Sequence, residues 1–172
     1  MIFSAALALG AAPSVRAGTP SPAAATEQIG GALMVPVTFI VRDAQTAEPL
    51  AKVAVTFFTA QETALLDAVA SGQRPAPVDK AELPAGITVH SSKDGEARMT
   101  CEFLAAFVES MQNGEARVTQ TRIHPSGRFA IRKAGYVPLT LEASALFSGT
   151  PDQAAAFGPP VTLRLHKAPD RT

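Results

Sequence analysis

Tryptophan is absent from the 172 residues, tyrosine and cysteine occur once each, and aromatic residues make up only 6% of the chain. A lone cysteine, Cys101, excludes an internal disulfide, so an apolar core has to hold the fold. The shortage of aromatic rings disfavours exposed stacking platforms for single strands or sugars. Charged residues are sparse at 17%, and Lys+Arg equals Asp+Glu at 15 each. Without a basic excess or a basic run, the chain lacks the footprint of a nucleic-acid partner and of an electrostatic hold on anionic lipid. The apolar run Ile2 to Ala12 is too short to span a membrane. No Gly-x-Ser-x-Gly elbow and no glycine-rich phosphate loop is present.

Hydrophobic residues nevertheless reach 47%, too apolar for a disordered chain and enough for one domain with a real core. The run from Ile2, ending in Val15-Arg16-Ala17 before Gly18, has the small residues at −3 and −1 of an export signal. Residues 1–17 are expected to be a signal peptide and the protein to be secreted or periplasmic. Residues 18–34, small and polar with Pro20 and Pro22, read as a flexible spacer.

Beyond the spacer the apolar residues recur with period two. Val37, Phe39 and Val41 form one face of a first strand, and Val53, Val55 and Phe57 form that of a second. Thr59-Ala60-Gln61-Glu62 has the capping-box pattern, Leu65, Leu66 and Val69 follow at helical spacing, and Gly72 can stop the turn. The spacing predicts a short helix over Thr59 to Ser71, then an irregular loop from Arg74 to Gly86 with three prolines.

A phrase then occurs twice: Lys93-Asp94-Gly95-Glu96-Ala97-Arg98-Met99-Thr100 is echoed by Gln112-Asn113-Gly114-Glu115-Ala116-Arg117-Val118-Thr119. Asp-Gly and Asn-Gly are tight hairpin turns that lead into strands. Cys101 to Met111 also fits helical spacing, and the repeated phrase favours a strand there, to about Val108. Further strands are expected over Ala116 to Ile123, Arg128 to Lys133, Val137 to Leu141 and Val161 to His166, with a helical turn between Ser144 and Phe157. The expectation is an all-β antiparallel sandwich with one short inserted helix.

Several phrases stand in a telling order. Asp43-Ala44-Gln45-Thr46-Ala47-Glu48-Pro49-Leu50 precedes the alternating valines, Ser92-Lys93-Asp94-Gly95 follows, and Lys133-Ala134-Gly135-Tyr136-Val137-Pro138 comes before the closing strand. This resembles the carboxypeptidase regulatory-like domain, a transthyretin-like sandwich, over residues 35–168. Ala47 stands where that family usually has glycine. The resemblance implies a non-catalytic domain without cofactors, riding beside enzymes, receptors or surface proteins, with an unknown protein or cell-surface partner. Its structural turns would be Pro49, Asp94, Gly95, Asn113, Gly114, Gly135 and Tyr136. Transthyretin-like folds also assemble into homo-oligomers through sheet edges.

The chemistry-bearing residues are weaker signals. His90, His124 and His166 show no short ligand spacing, so no metal site is expected. Cys101, between inward Met99 and Phe103, reads as a small core residue. Arg117, Arg122, Arg128 and Arg132, with Lys133, could line a basic face for an acidic partner, although Glu102, Glu109 and Glu115 lie nearby and a solvated face looks the same. The alternative function is a small hydrolase built on the same sandwich, which would need the histidines to converge.

The Asn113-Gly114 turn predicts that Gly114→Val destabilises the protein by about 1–3 kcal/mol, because a β-branched residue resists positive φ. An unchanged melting temperature would show that no such turn exists.

Overall fold

Alternation of apolar and polar residues along the chain resolves into two four-stranded sheets packed face to face. The computed structural model describes residues 26–77, 83–112, 115–147 and 157–169. In chain order the elements are β1 (Thr26–Asp43), β2 (Ala54–Phe58), α1 (Ala60–Ala70), β3 (Ile87–His90), β4 (Glu96–Gln112) and β5 (Glu115–His124). They continue with β6 (Arg128–Arg132), β7 (Leu139–Glu142), the single turn α2 (Ala143–Leu146) and β8 (Val161–Leu165). One sheet runs β5-β4-β1-β8 and the other β3-β2-β6-β7. The all-β sandwich with a short inserted helix is therefore the fold.

Three features depart from the sequence reading. First, β1 begins at Thr26, inside the stretch read as spacer, because β4 continues to Gln112 and offers it a ladder: Thr26 lies opposite Glu109 and Ile40 opposite Glu96. An irregularity between Ile29 and Gly31 interrupts that ladder, and a Cβ on Gly31 would come within 3.1 Å of the Phe107 ring. Second, the sandwich is not wholly antiparallel. β8 runs parallel to β1, with Phe39 opposite Val161 and Asp43 opposite Leu165. Third, β7 starts at Leu139, not Val137, because the Val137 N–H donates to the His166 carbonyl at 2.9 Å and Pro138 has no N–H to give. Asn113 and Gly114 lie outside the described residues, as do residues 1–25 and part of the loop from Arg74 to Gly86.

The inward residues are those the period selects. Val35, Val37, Phe39 and Val41 of β1 face Val55 and Phe57 of β2, with Ala97, Met99, Cys101 and Phe103 of β4, and all are buried. Fully burying one such side chain is worth about 1.5–3 kcal/mol. The rings interlock: Phe39 meets Phe129 edge-on at 5.0 Å, and Phe57 meets Phe103 at 5.7 Å. Phe147, just after α2, and Phe157, shortly before β8, meet the Phe103 ring edge-on and tilted at 5.8 and 5.3 Å at one end of the core. Such pairs add about 0.5–1.5 kcal/mol each beyond area.

The turns are fixed by backbone conformation. Helix α1 starts as its capping box requires: Thr59 Oγ1 accepts from the Glu62 N–H, and Glu62 Oε2 accepts from the Thr59 N–H at 2.8 Å. At the opposite end of the core, Gly95 sits at φ +78, and a Cβ there would lie 2.5 Å from the Val41 carbonyl oxygen. That carbonyl accepts from the Leu50 N–H, and the Val41 N–H donates to the Gly95 carbonyl. The Asp94-Gly95 turn is thus pressed against the turn that holds Pro49, which bridges Arg42. Ala47, in the same turn, is strained at φ +60.

Two substitutions test this end of the fold by urea denaturation. Gly95→Ala combines positive φ with a backbone collision and is expected to cost about 2 kcal/mol or more. Ala47→Gly relieves a left-handed penalty of about 1–2 kcal/mol and adds about 0.5–1 kcal/mol of chain entropy. A small net stabilisation, up to about 1 kcal/mol, is expected.

Candidate interaction site

A short acidic side chain after a strand can bond to its own turn, and Asp43 does so. Its Oδ1 accepts from the Gln45 and Thr46 N–H groups at 2.8 and 3.0 Å, while Oδ2 accepts from the Tyr136 hydroxyl at 2.9 Å. Asp43 is buried, and these donors hold its carboxyl down to about 2. The same bond pushes the Tyr136 phenol up, because losing its proton would set two negative charges together. Gly135, at φ +79, aims Tyr136 at this point, and its carbonyl accepts from the Ala168 N–H at 2.9 Å.

Two other polar side chains are committed in the same way. Ser91 is buried; its Oγ accepts from the Val53 N–H at 2.9 Å and donates to the Leu50 carbonyl at 2.6 Å, locking β3 to the turn before β2. Arg128 grips Asp67 of α1 with both terminal nitrogens at 2.8 and 2.9 Å and Glu142 of β7 through Nε at 2.7 Å. These carboxylates raise the Arg128 pKa, and Arg128 keeps the Asp67 carboxyl low. Lys133 donates to the Ala51 carbonyl at 2.7 Å.

The arginines expected to share a face do not form one stripe. Arg117 and Arg122 lie on β5, and Arg128 and Arg132 lie on β6, which belongs to the other sheet. Arg128 is a clamp within the fold, and only Arg132 of the β6 pair is exposed. The histidines do not converge either. His90 ends β3 at one edge of its sheet, whereas the His166 carbonyl bonds Val137 beside β7, the opposite edge of that sheet, and His124 ends β5. Among the described residues no group of three or more His, Cys, Asp or Glu could hold a metal ion. Cys101 is fully buried, and loss of hydration pushes its thiol up to about 12. No described helix is long and apolar enough to cross a membrane.

Two grooves stand out among the described residues. One, about 460 Å³, lies between Leu65 and Val69 of α1 and the following segment, lined by Arg74, Pro75, Pro77 and Leu83. The other, about 310 Å³ and almost wholly apolar, lies where the edge strands β7 and β8 meet, lined by Val137, Pro138, Leu139, Leu165, Arg164 and His166. Sequence periodicity placed Arg164 and His166 outward but gave no sign of this groove, because it depends on the parallel pairing of β8 with a strand more than a hundred residues earlier.

No family model matches the sequence, and no curated protein does. Among solved structures the chain is similar to the shaft pilin SpaA of Lactobacillus rhamnosus GG, with a TM-score of 0.35 at 16% identity over 78% of this chain and 50% of that one. A substituted form of the same pilin gives 0.37 at 17% identity over 78% and 51%. The chain spans about half the length of those pilins. So distant a likeness carries no argument about function.

The Asp43–Tyr136 pair predicts the pH dependence of stability. A carboxylate held at about 2, against about 3.9 when unfolded, contributes stability above pH about 4 that is lost as pH falls through about 2. Asp43→Asn is expected to be less stable at neutral pH and to flatten that acid limb. The raised phenol acts oppositely: its contribution is complete below pH about 10 and fades as pH rises through the folded value. Tyr136→Phe should remove that alkaline limb. Denaturant titrations across pH would read both.

Proposed function

We propose that this protein is an exported, non-catalytic β-sandwich module of the carboxypeptidase regulatory-like, transthyretin-like kind, with a structural or binding role toward a protein or cell-surface partner. The observation that carries this reading is how the polar side chains are used. Asp43, Ser91, Arg128 and Tyr136 are spent on turns, strand ends and a helix-to-strand clamp. They lock the module and do not converge on a cleft. Nor do the histidines: His90 ends β3, His124 ends β5 and His166 follows β8. The phrases that carry the resemblance occupy structural positions: Asp43 caps its turn, Gly95 is pressed against Val41, and Tyr136 ties the connection before β7 to β1. The apolar run before Val15-Arg16-Ala17 supports export to the periplasm or beyond.

Two measurements test the reading. The purified protein and its His90→Ala, His124→Ala, His166→Ala triple variant are assayed together on a panel of esters, amides and ureides. No histidine-dependent turnover is expected; turnover abolished in the variant would replace the module with a small hydrolase on the same sandwich. Mass spectrometry of the cell-envelope and culture fractions should find an N-terminus near Gly18, and an intact Met1 there would refute export.

A further inference from the structure

A strand at the edge of a sheet carries a row of backbone donors and acceptors ready to pair. β8 is such a strand over Val161–Leu165: β1 lies on one side of it and no described strand on the other, while just past its end Gly135–Val137 pair with His166–Ala168. Beside that open edge is the apolar groove of Val137, Leu139 and Leu165, of which Val137 is 46% exposed. Along β8 the side chains alternate, Leu163 and Leu165 buried and Thr162, Arg164 and His166 exposed. The register sets Arg164 directly opposite Arg42 of β1. Like charges placed so repel, and such a pair is normally relieved by a counter-charge. Arg42 reaches away to the Ala47 carbonyl at 2.9 Å, whereas Arg164 has no hydrogen bond or ion pair among the described residues. The nearby acid on this face, Glu96 of β4, is taken by Arg98.

We infer that β8 is a docking edge for an extended acidic segment of a partner protein, which joins the sheet as a strand beyond β8. Its inward side chains are apolar and fill the Val137–Leu139–Leu165 groove, while its outward side chains are carboxylates that answer Arg164 and Arg42. Backbone pairing supplies affinity and the alternating side chains supply selection. A strand beside β8 points successive residues alternately into the groove and onto the outer face, so one segment satisfies both surfaces. The larger groove beside α1 is bounded by a loop whose middle, residues 78–82, lies outside the described residues. β8 and the groove beside it are formed by described residues throughout. The inference rests on the reading of the domain as a binding module and names its site and the class of its partner.

The test uses a synthetic peptide alternating valine and glutamate, blocked at both ends, titrated into the full chain and followed by backbone amide shifts. The expected result is movement of the Val161–Leu165 amides. A peptide alternating valine and lysine should not bind, and one N-methylated on alternate residues should lose binding. Arg164→Glu should weaken the acidic peptide by at least about tenfold, and Arg164→Gln, which keeps length and exposure, by less. Unchanged melting temperatures confirm that both variants fold. Equal binding of both peptides, shifts confined to β3 or β5, or β8 shifts that grow with protein concentration alone would overturn the proposal, the last by naming a second copy as occupant. These failures leave the module reading standing, because that reading falls only to histidine-dependent turnover or an unprocessed N-terminus.

Discussion

The fold turns on one carboxylate. Asp43 ends β1, and around it three separate parts of the chain are brought together. Its side chain organises the following turn through the Gln45 and Thr46 amides, and its backbone N–H donates to the Glu48 carbonyl. The next residue, Ala44, donates to Leu165 at the end of β8, and Tyr136 arrives from the connection before β7. Each of these bonds is ordinary alone. Together they fix where β1 stops, how β8 lies against it, and how the second sheet is tethered at that end. Such a buried carboxylate is tolerable only because every neighbour donates to it.

The remaining polar side chains follow the same logic on a smaller scale. Ser91 satisfies a backbone donor and a backbone acceptor where β3 meets the turn before β2. Arg128 holds a helix and two strands to one another through a bidentate contact and a single one. With no disulfide to restrain the chain, these contacts and the interlocked phenylalanines carry the specificity of the sandwich. Among the described residues, the edge of β8 stands out against that background, because Arg164 makes no ion pair there and no strand lies beyond Val161–Leu165.

What could be read from the sequence was local. The inward faces of β1, β2 and β4 were legible because period two needs only neighbouring residues, and the capping box of α1 because Thr59 and Glu62 are three residues apart. The repeated Asp-Gly and Asn-Gly phrase resolved the ambiguous stretch after Cys101 in favour of a strand, and β4 is one. The length of β1 was not legible, since residues 26–34 look like a spacer until β4 is laid beside them. Nor was the role of Arg128, whose partners lie 61 and 14 residues away in sequence. Composition grouped the arginines by proximity along the chain, and topology then sent them to different sheets. The groove at β8 exists only through long-range pairing, which no local pattern encodes.

The parallel pairing of β1 with β8 has a bearing on how the molecule comes into being. Phe39 pairs with Val161, so the first strand receives one of its neighbours only after about 120 further residues have been made. Closing so large a loop carries its entropic cost before the reward, and topologies dominated by such distant contacts form slowly. Until β8 is added, β1 has β4 on one side only, and the edge that β8 will cover stays open.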